Sequence, residues 1–227
     1  MLALTFYLEL AMQRFNNGPL CFWAWNGEMK DNEITAQLKD LAAGGMKGVF
    51  VHSRAGLKLT YLGKEWFEKY KLTVAECEKL GLEVWIYDED GWPSGFGGGQ
   101  VYKKSDEFKQ RYITAKTVTL PCEEVRKSEI LAVYKINDDG FVKTDHDLDN
   151  KTGDYLILYI NCNPVYIDIL NKDAVQYFIE ITHEKYKKEL GQYFGGVIKG
   201  IFTDEPHISP RGLPWGKYYQ SFFKEKR

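Results

Sequence analysis

Short apolar runs alternate along the chain with segments whose apolar residues recur every three or four positions, and this alternation sets the expected fold class. Pro19 to Trp25, PLCFWAW, ends at Asn26-Gly27 and reads as a buried strand followed by a turn. A helix follows, capped by Asp31 or Asn32, with Ile34, Leu38 and Leu41 at helical spacing and Gly44-Gly45 as its stop. Lys47 to His52 is a second strand, continued by Ser-Arg-Ala-Gly into a loop. Trp66 to Leu80 is a long amphipathic helix with Phe67, Tyr70, Val74 and Cys77 on one face and Gly81 at its end. Leu82 to Tyr87 is a third strand that runs straight into Asp-Glu-Asp-Gly-Trp-Pro-Ser-Gly-Phe-Gly-Gly-Gly. Strand, helix, strand, helix, strand implies right-handed βαβ units on a parallel sheet.

From Ile113 to Asn161 the rhythm changes to alternating strands, ITAKTVTL, EILAVYKI, FVKT and DYLILYIN, with the hairpin signal Asp138-Asp139-Gly140 between two of them. The earlier rhythm returns with a helix over Ala174 to Leu190, capped by Asn171 or Asp173 and striped by Val175, Phe178, Ile179 and Tyr186. Val197 to Phe202 is then a fourth parallel strand, ending in Thr-Asp-Glu-Pro-His. The expected architecture is α/β: a partial (β/α)8 barrel of four βα units, its strands adjacent in the order one to four, with a small antiparallel insertion outside them. The segments are an N-terminal helical piece at 1–18, the first three strands at 19–112, the insertion at 113–162, and the helix, fourth strand and start of a further helix at 163–227. No internal repeat or low-complexity stretch is apparent in the sequence.

Composition narrows the function classes. Thirty Lys and Arg against thirty-two Asp and Glu leave a formal charge of -2, which gives no electrostatic reason to expect nucleic acid or an anionic membrane as partner. Cys21, Cys77, Cys122 and Cys162 form no CxxC pair, so neither a zinc site nor a redox motif is suggested, and a reduced cytoplasmic setting is the simplest expectation. The opening MLALTFYLELAMQRF lacks a basic leader and a small-residue cleavage site, and reads as a helix covering something rather than a signal peptide. No run approaches the roughly 18 apolar residues of a membrane span.

Aromatic residues make up 15% of the chain, and several stand beside acids in FWAWNGE, WIYDEDGW and LPWGKYY. Aromatic faces stack on sugar rings while carboxylates accept from hydroxyls, so the mixture suits a carbohydrate; the other reading is core filling. In parallel α/β folds functional residues collect where strands end. Here those ends carry Asn26-Gly27-Glu28, His52-Ser53-Arg54, Asp88-Glu89-Asp90 and Asp204-Glu205-Pro206-His207. Glycosidic cleavage needs a protonated carboxyl for the leaving oxygen and a second carboxylate to attack or to activate water. Glu205 is the candidate proton donor, with Asp204 raising its proton affinity by like-charge repulsion, and Asp90 completes the candidate catalytic carboxylates. The alternative is that Asp204 and Glu205 cap a helix. Asp88 and Asp90 are expected on one side of the strand end and Glu89 on the other, with Trp92 as a stacking face. His52 and Arg54 alternate to one face, and His207 joins them through its acidic neighbours. Trp25, Asn26, Glu28 and Ser94 complete the candidate substrate-binding residues, whereas His146 and His183 read as surface or packing residues.

The motifs PLCFWAWNGE, VFVHSRAG, VWIYDEDGWPSGFGGG and GIFTDEPH together resemble the first four strand ends of glycoside hydrolase family 106 and its relatives, a family associated with α-L-rhamnosidases. The resemblance runs from about Arg14 to the end of the chain. It implies Glu205 as catalytic acid, with Asn26, His52, Arg54, Asp88, Asp90 and Trp92 lining the sugar subsite. It also implies an inverting mechanism, no required cofactor and sometimes a calcium ion (Ca2+) near the acids. The departure is length: family members continue through four more strands and accessory β domains, so the resemblance covers an N-terminal half.

Three functions from different classes follow: a glycosidase fragment acting on terminal deoxysugars of polysaccharides, a non-catalytic carbohydrate-binding half-barrel, and a metal-dependent hydrolase using His52, Asp88, Asp90 and His207. A half-barrel leaves two strand edges and one face uncovered, so self-association and near-background hydrolysis are expected of the isolated chain.

Overall fold

The computed structural model describes residues 18–121, 125, 129–208, 211–219 and 222. The opening apolar segment, expected to be a helix, lies outside them. In chain order the elements are β1 (Leu20–Trp25), α1 (Asp31–Ala43), β2 (Gly48–Ser53), α2 (Lys64–Leu80), β3 (Glu83–Asp90) and the short α3 (Gln100–Lys104). Then come β4 (Lys109–Leu120), β5 (Ile130–Asn137), β6 (Gly140–Thr144), β7 (Gly153–Ile167), α4 (Lys172–Ile181), α5 (His183–Leu190), β8 (Ile198–Phe202) and β9 (Leu213–Pro214). Residue contacts divide the chain into two units, Met1–Gly98 with Phe178–Pro206, and Gly99–Tyr177 with His207–Arg227. The fold is mixed α/β with two sheets, one of them a curled parallel half-barrel.

The first unit carries the parallel sheet in the order β1-β2-β3-β8. Alternation along its strands divides it into two faces. Trp23, Trp25, Val49, Val51, Val84 and Ile86 belong to a core shared with Ile34 and Leu38 of α1, Trp66, Tyr70 and Val74 of α2, and Tyr186 and Leu190 of α5. The opposite face carries Phe22, Phe50, His52, Tyr87 and Phe202, whose rings touch one another. Phe22 on the first strand and Phe202 on the fourth have ring centroids 5.2 Å apart. Strands three spacings apart in a flat sheet would be separated by about 14 Å, so the contact requires the sheet to curl. Its concave side is therefore lined with aromatic rings, of which Phe22 is 51% exposed.

Several boundaries differ from the sequence-based expectation for identifiable reasons. Helix α1 has Lys30 at its N-cap with no side-chain cap; Asp31 lies inside the first turn, where its charge complements the helix dipole. The long helix expected over Ala174 to Leu190 is divided at Thr182, whose hydroxyl donates to the Phe178 carbonyl at 2.5 Å and competes with the helical ladder. Strand β3 extends to Asp90 through a bulge: against β2 it advances from Ile86 to Asp90 while β2 advances only from Val51 to Ser53.

The second unit carries an antiparallel sheet in the order β6-β5-β7-β4-β9. A small core of Val118, Leu120, Val133, Tyr155, Ile157 and Tyr159 lies on it. Its long strands begin at Lys109 and end at Ile167, wider than the expected insertion. The register shift between Lys109 and Gln110 accommodates Pro164, which lacks a ladder donor and hid the strand's continuation.

The two faces of the parallel sheet predict unequal costs of truncation. Trp66, fully buried under Trp25 and Tyr70, should lose about 3–5 kcal/mol on substitution by alanine. Half-exposed Phe22 should lose no more than about 2 kcal/mol, and paired urea unfolding curves measure the difference.

Candidate active site

The Gly-rich loop after β3 is organised from within by Glu89. Its side chain is fully buried, and it accepts four backbone N–H bonds, from Asp90 at 2.8 Å, Gly95 at 3.0 Å, Gly97 at 2.7 Å and Gly98 at 2.6 Å. Consecutive positive φ values at Gly97 (55°) and Gly98 (61°) turn the amides inward, a geometry that glycine adopts without strain. Burial pushes the Glu89 carboxyl above its ordinary value, and the four donors pull it back. All four contacts are donors, which suits the ionised form.

Asp88 is also fully buried. It accepts from Ser94 Oγ at 2.5 Å and Thr203 Oγ1 at 2.7 Å, and His183 Nε2 lies 3.0 Å from its Oδ2. Ser94 goes on to join the loop after β3 to the chain after β8: its Oγ accepts from the Asp204 N–H at 2.8 Å, and its own N–H donates to the Asp204 carbonyl at 2.9 Å. The Asp204 carboxylate accepts from Tyr87 Oη at 2.6 Å. Burial, then Asp204, pushes the Tyr87 phenol well above its ordinary value, keeping it a donor. His52 stacks on Tyr87 with centroids 3.6 Å apart, and its Nε2 donates to the Gly91 carbonyl at 3.1 Å.

What faces solvent is a smaller set. A cavity of about 460 Å³ is lined by Arg54, Leu57, Leu59, Asp90, Gly91 and Trp92 among others, at the C-terminal ends of β2 and β3. Trp92 is 49% exposed. Asp90 accepts a hydrogen bond from Ser53 Oγ and lines the cavity. Arg54 is exposed, with its backbone N–H tied to the Trp25 carbonyl at 3.0 Å. Glu205 is exposed beyond β8 and has a left-handed φ of 39°, an unusual conformation for a side-chain-bearing residue.

The sequence-based assignment is therefore redistributed. Asp88, Glu89 and Ser94 were expected to bind substrate, but burial and internal hydrogen bonds commit them to holding the loops. The expected pairing of Asp88 with Asp90 on one side fails because β3 bulges before its end. Trp25 faces the helices, packed on Trp66 at 4.9 Å, because odd positions of β1 point that way. His52 is 3% exposed and acts on the protein's own loop. Asn26 is exposed, and Glu28 pairs with Lys30 at 3.0 Å on the surface. His207 belongs to the second unit, where its N–H donates to Tyr166 Oη at 3.1 Å. Tyr87, Ser53, Thr203 and His183 were missed. Their partners are acids at the strand ends, up to 117 residues away for Tyr87, and short-range pattern does not register such pairings.

The acids with buried oxygens already accept from protein donors, and among the described residues no group of three or more His, Cys, Asp and Glu side chains could hold an ion. Among the same residues no helix is long and apolar enough to cross a membrane.

The fold and site thus define a mixed α/β chain with polar residues gathered at the C-terminal ends of a parallel half-barrel. No protein-family model matches the chain. No curated protein matches it. Among solved structures it is similar to a rhamnosidase from Novosphingobium sp. PP1Y, with 23% identity and a TM-score of 0.36 over 48% of this chain. The match spans 11% of that enzyme's chain, and a likeness of this size carries no argument about activity.

The buried imidazole gives a pH signature. Burial holds the His52 pKa below its ordinary value of 6.5, opposed by the Gly91 hydrogen bond. A depressed folded pKa means that its contribution is present above the unfolded value near 6.5 and is lost as pH falls through the folded value. Thermal melts from about pH 7.5 to about pH 5 should show falling stability, and His52→Phe, which keeps a ring on Tyr87 but cannot charge, should flatten that slope.

Proposed function

We propose that this chain supplies part of a glycoside hydrolase active site, built on four strands of a (β/α)8 barrel and acting on terminal α-L-rhamnoside-type sugars of polysaccharides. One observation carries the reading: a half-exposed indole, a carboxylate and a guanidinium, from Trp92, Asp90 and Arg54, line one cavity at the strand ends. An aromatic plane receives the apolar face of a deoxysugar, while Asp90 accepts and Arg54 donates to its hydroxyls. In this reading Glu205, exposed beyond β8, gives the proton to the glycosidic oxygen, and the carboxylate that activates water comes from strands completing the barrel. The exposed Phe22 and its ring neighbours on the concave side are where those strands, or a second copy of this chain, would pack.

A second reading is a non-catalytic carbohydrate-binding half-barrel. It is favoured by the cavity lining, in which Asp90 is the only carboxylate among the described residues.

Titration of the chain with L-rhamnose, followed by tryptophan fluorescence, tests the shared part of both readings. Saturable binding is expected, weakened at least about tenfold by Trp92→Ala or Asp90→Ala, since a hydrogen bond to a charged group contributes about 1.5–3 kcal/mol. Unchanged binding in both variants would remove the site. Nitrophenyl rhamnoside hydrolysis by this chain alone should stay near background, because the water-activating carboxylate lies on the completing strands; turnover that disappears in Glu205→Gln would contradict that division of the site.

A further inference from the structure

The parallel sheet of the first unit is open at both ends. β1 and β8 are its outer strands, and each has an edge that pairs with no other strand among the described residues. The Lys47 and Arg54 N–H groups donate to the Pro19 and Trp25 carbonyls, so the backbone groups of the alternate residues Leu20, Phe22 and Ala24 point to the open edge. On β8 the Gly195 N–H covers the Ile198 carbonyl at 3.0 Å, and the strand continues beyond it to Phe202.

Native sheets commonly guard such edges with charge or proline. LCFWAW has neither, and IKGIF has one charged residue, Lys199. Exposed apolar side chains follow the same edges. Among the described residues, the large ones that the first unit exposes are Phe22, Trp92, Phe194 and Ile201. Trp92 belongs to the cavity, whereas Phe22 lies on β1, Ile201 on β8 and Phe194 in the bridge to Ile198.

We propose that these edges join two copies of this chain about a two-fold axis, each β8 lying parallel beside the partner's β1. The occupant of both edges has to offer a parallel strand with an apolar border, and the chain's own β8 and β1 do so. Four strands and their copies make the eight of a small closed barrel. The curl that brings Phe22 and Phe202 to 5.2 Å turns the two edges of one sheet toward each other, so the pairing closes instead of running on as a filament. The proposal rests on the curled sheet and not on the sugar reading. The partner's strand ends repeat this chain's own, so closure brings no new kind of residue to the rim.

Sedimentation equilibrium of the full chain tests it. A dimer is expected, with no larger species as concentration rises. Phe22→Asp on β1 and Ile201→Lys on β8 each place a charge at a junction, and each should weaken dimerisation at least about tenfold. Both positions lie outside the helix-packed core, so circular dichroism should be unchanged; Phe22→Ala gives a smaller weakening should a charged variant unfold. Mixing Phe22→Asp with Ile201→Lys should restore dimers, because one junction is then unaltered and the other sets the new anion beside the new cation. Leu213→Asp, at an exposed apolar residue of the second unit, should have no effect. A monomer at every concentration, open polymers, or a dimer indifferent to both edge variants would overturn the proposal. So would a dimer broken by Phe22→Asp but not by Ile201→Lys, which would mean that β1 pairs with its own copy, or one broken by Leu213→Asp.

Discussion

A carboxylate withdrawn from water is tolerated only where other donors replace the water, and at Glu89 four backbone amides do so. The geometry of the candidate site depends on this one interaction. It sets the path of the chain from Asp90 to Gly98, and that path determines where Trp92 stands, which carbonyl reaches His52, and how Ser94 meets both Asp88 and Asp204. The strand-end acids are thus divided by function. The buried ones, Asp88 and Glu89, shape the loops, whereas Asp90 and Glu205 are exposed.

The parallel sheet makes that division possible. Its helix-facing side has an ordinary apolar core, while its concave side is lined with rings that meet across non-adjacent strands. His52 and Tyr87 end this aromatic wall, and there it turns polar: one ring donates to Gly91 and the other to Asp204. Aromatic packing and hydrogen bonding are therefore continuous, from the floor of the half-barrel to the loops that carry the cavity.

The fold was largely legible in sequence because its signals are local. The apolar runs of β1, β2, β3 and β8, the stripe of α2 and the Asp-Asp-Gly hairpin each depend on neighbours within a few residues. The gathering of acids at strand ends was legible for the same reason. Which acids face solvent was not, because alternation from Ile86 onward assumes an unbroken pleat and β3 bulges there. Trp25 was expected to bind substrate because FWAWNGE sets aromatics beside an acid at a strand end, yet strand parity turns it onto Trp66. His183 gave no local signal at all: its partner Asp88 lies 95 positions away. Burial of polar groups is decided by long-range pairing, and single-sequence patterns carry little of it.

The most direct test of the account is amide hydrogen exchange at Gly95, Gly97 and Gly98 in the native chain and in Glu89→Gln. The substitution keeps the shape but replaces one acceptor oxygen with a donor facing donors, at a cost of about 1–3 kcal/mol for each amide left unpaired. The account predicts strong protection of all three amides in the native chain and selective loss of protection in the variant, with the amides of β1 and β2 unchanged. Equal protection of the three glycine amides in both proteins would contradict the claim that Glu89 holds the loop.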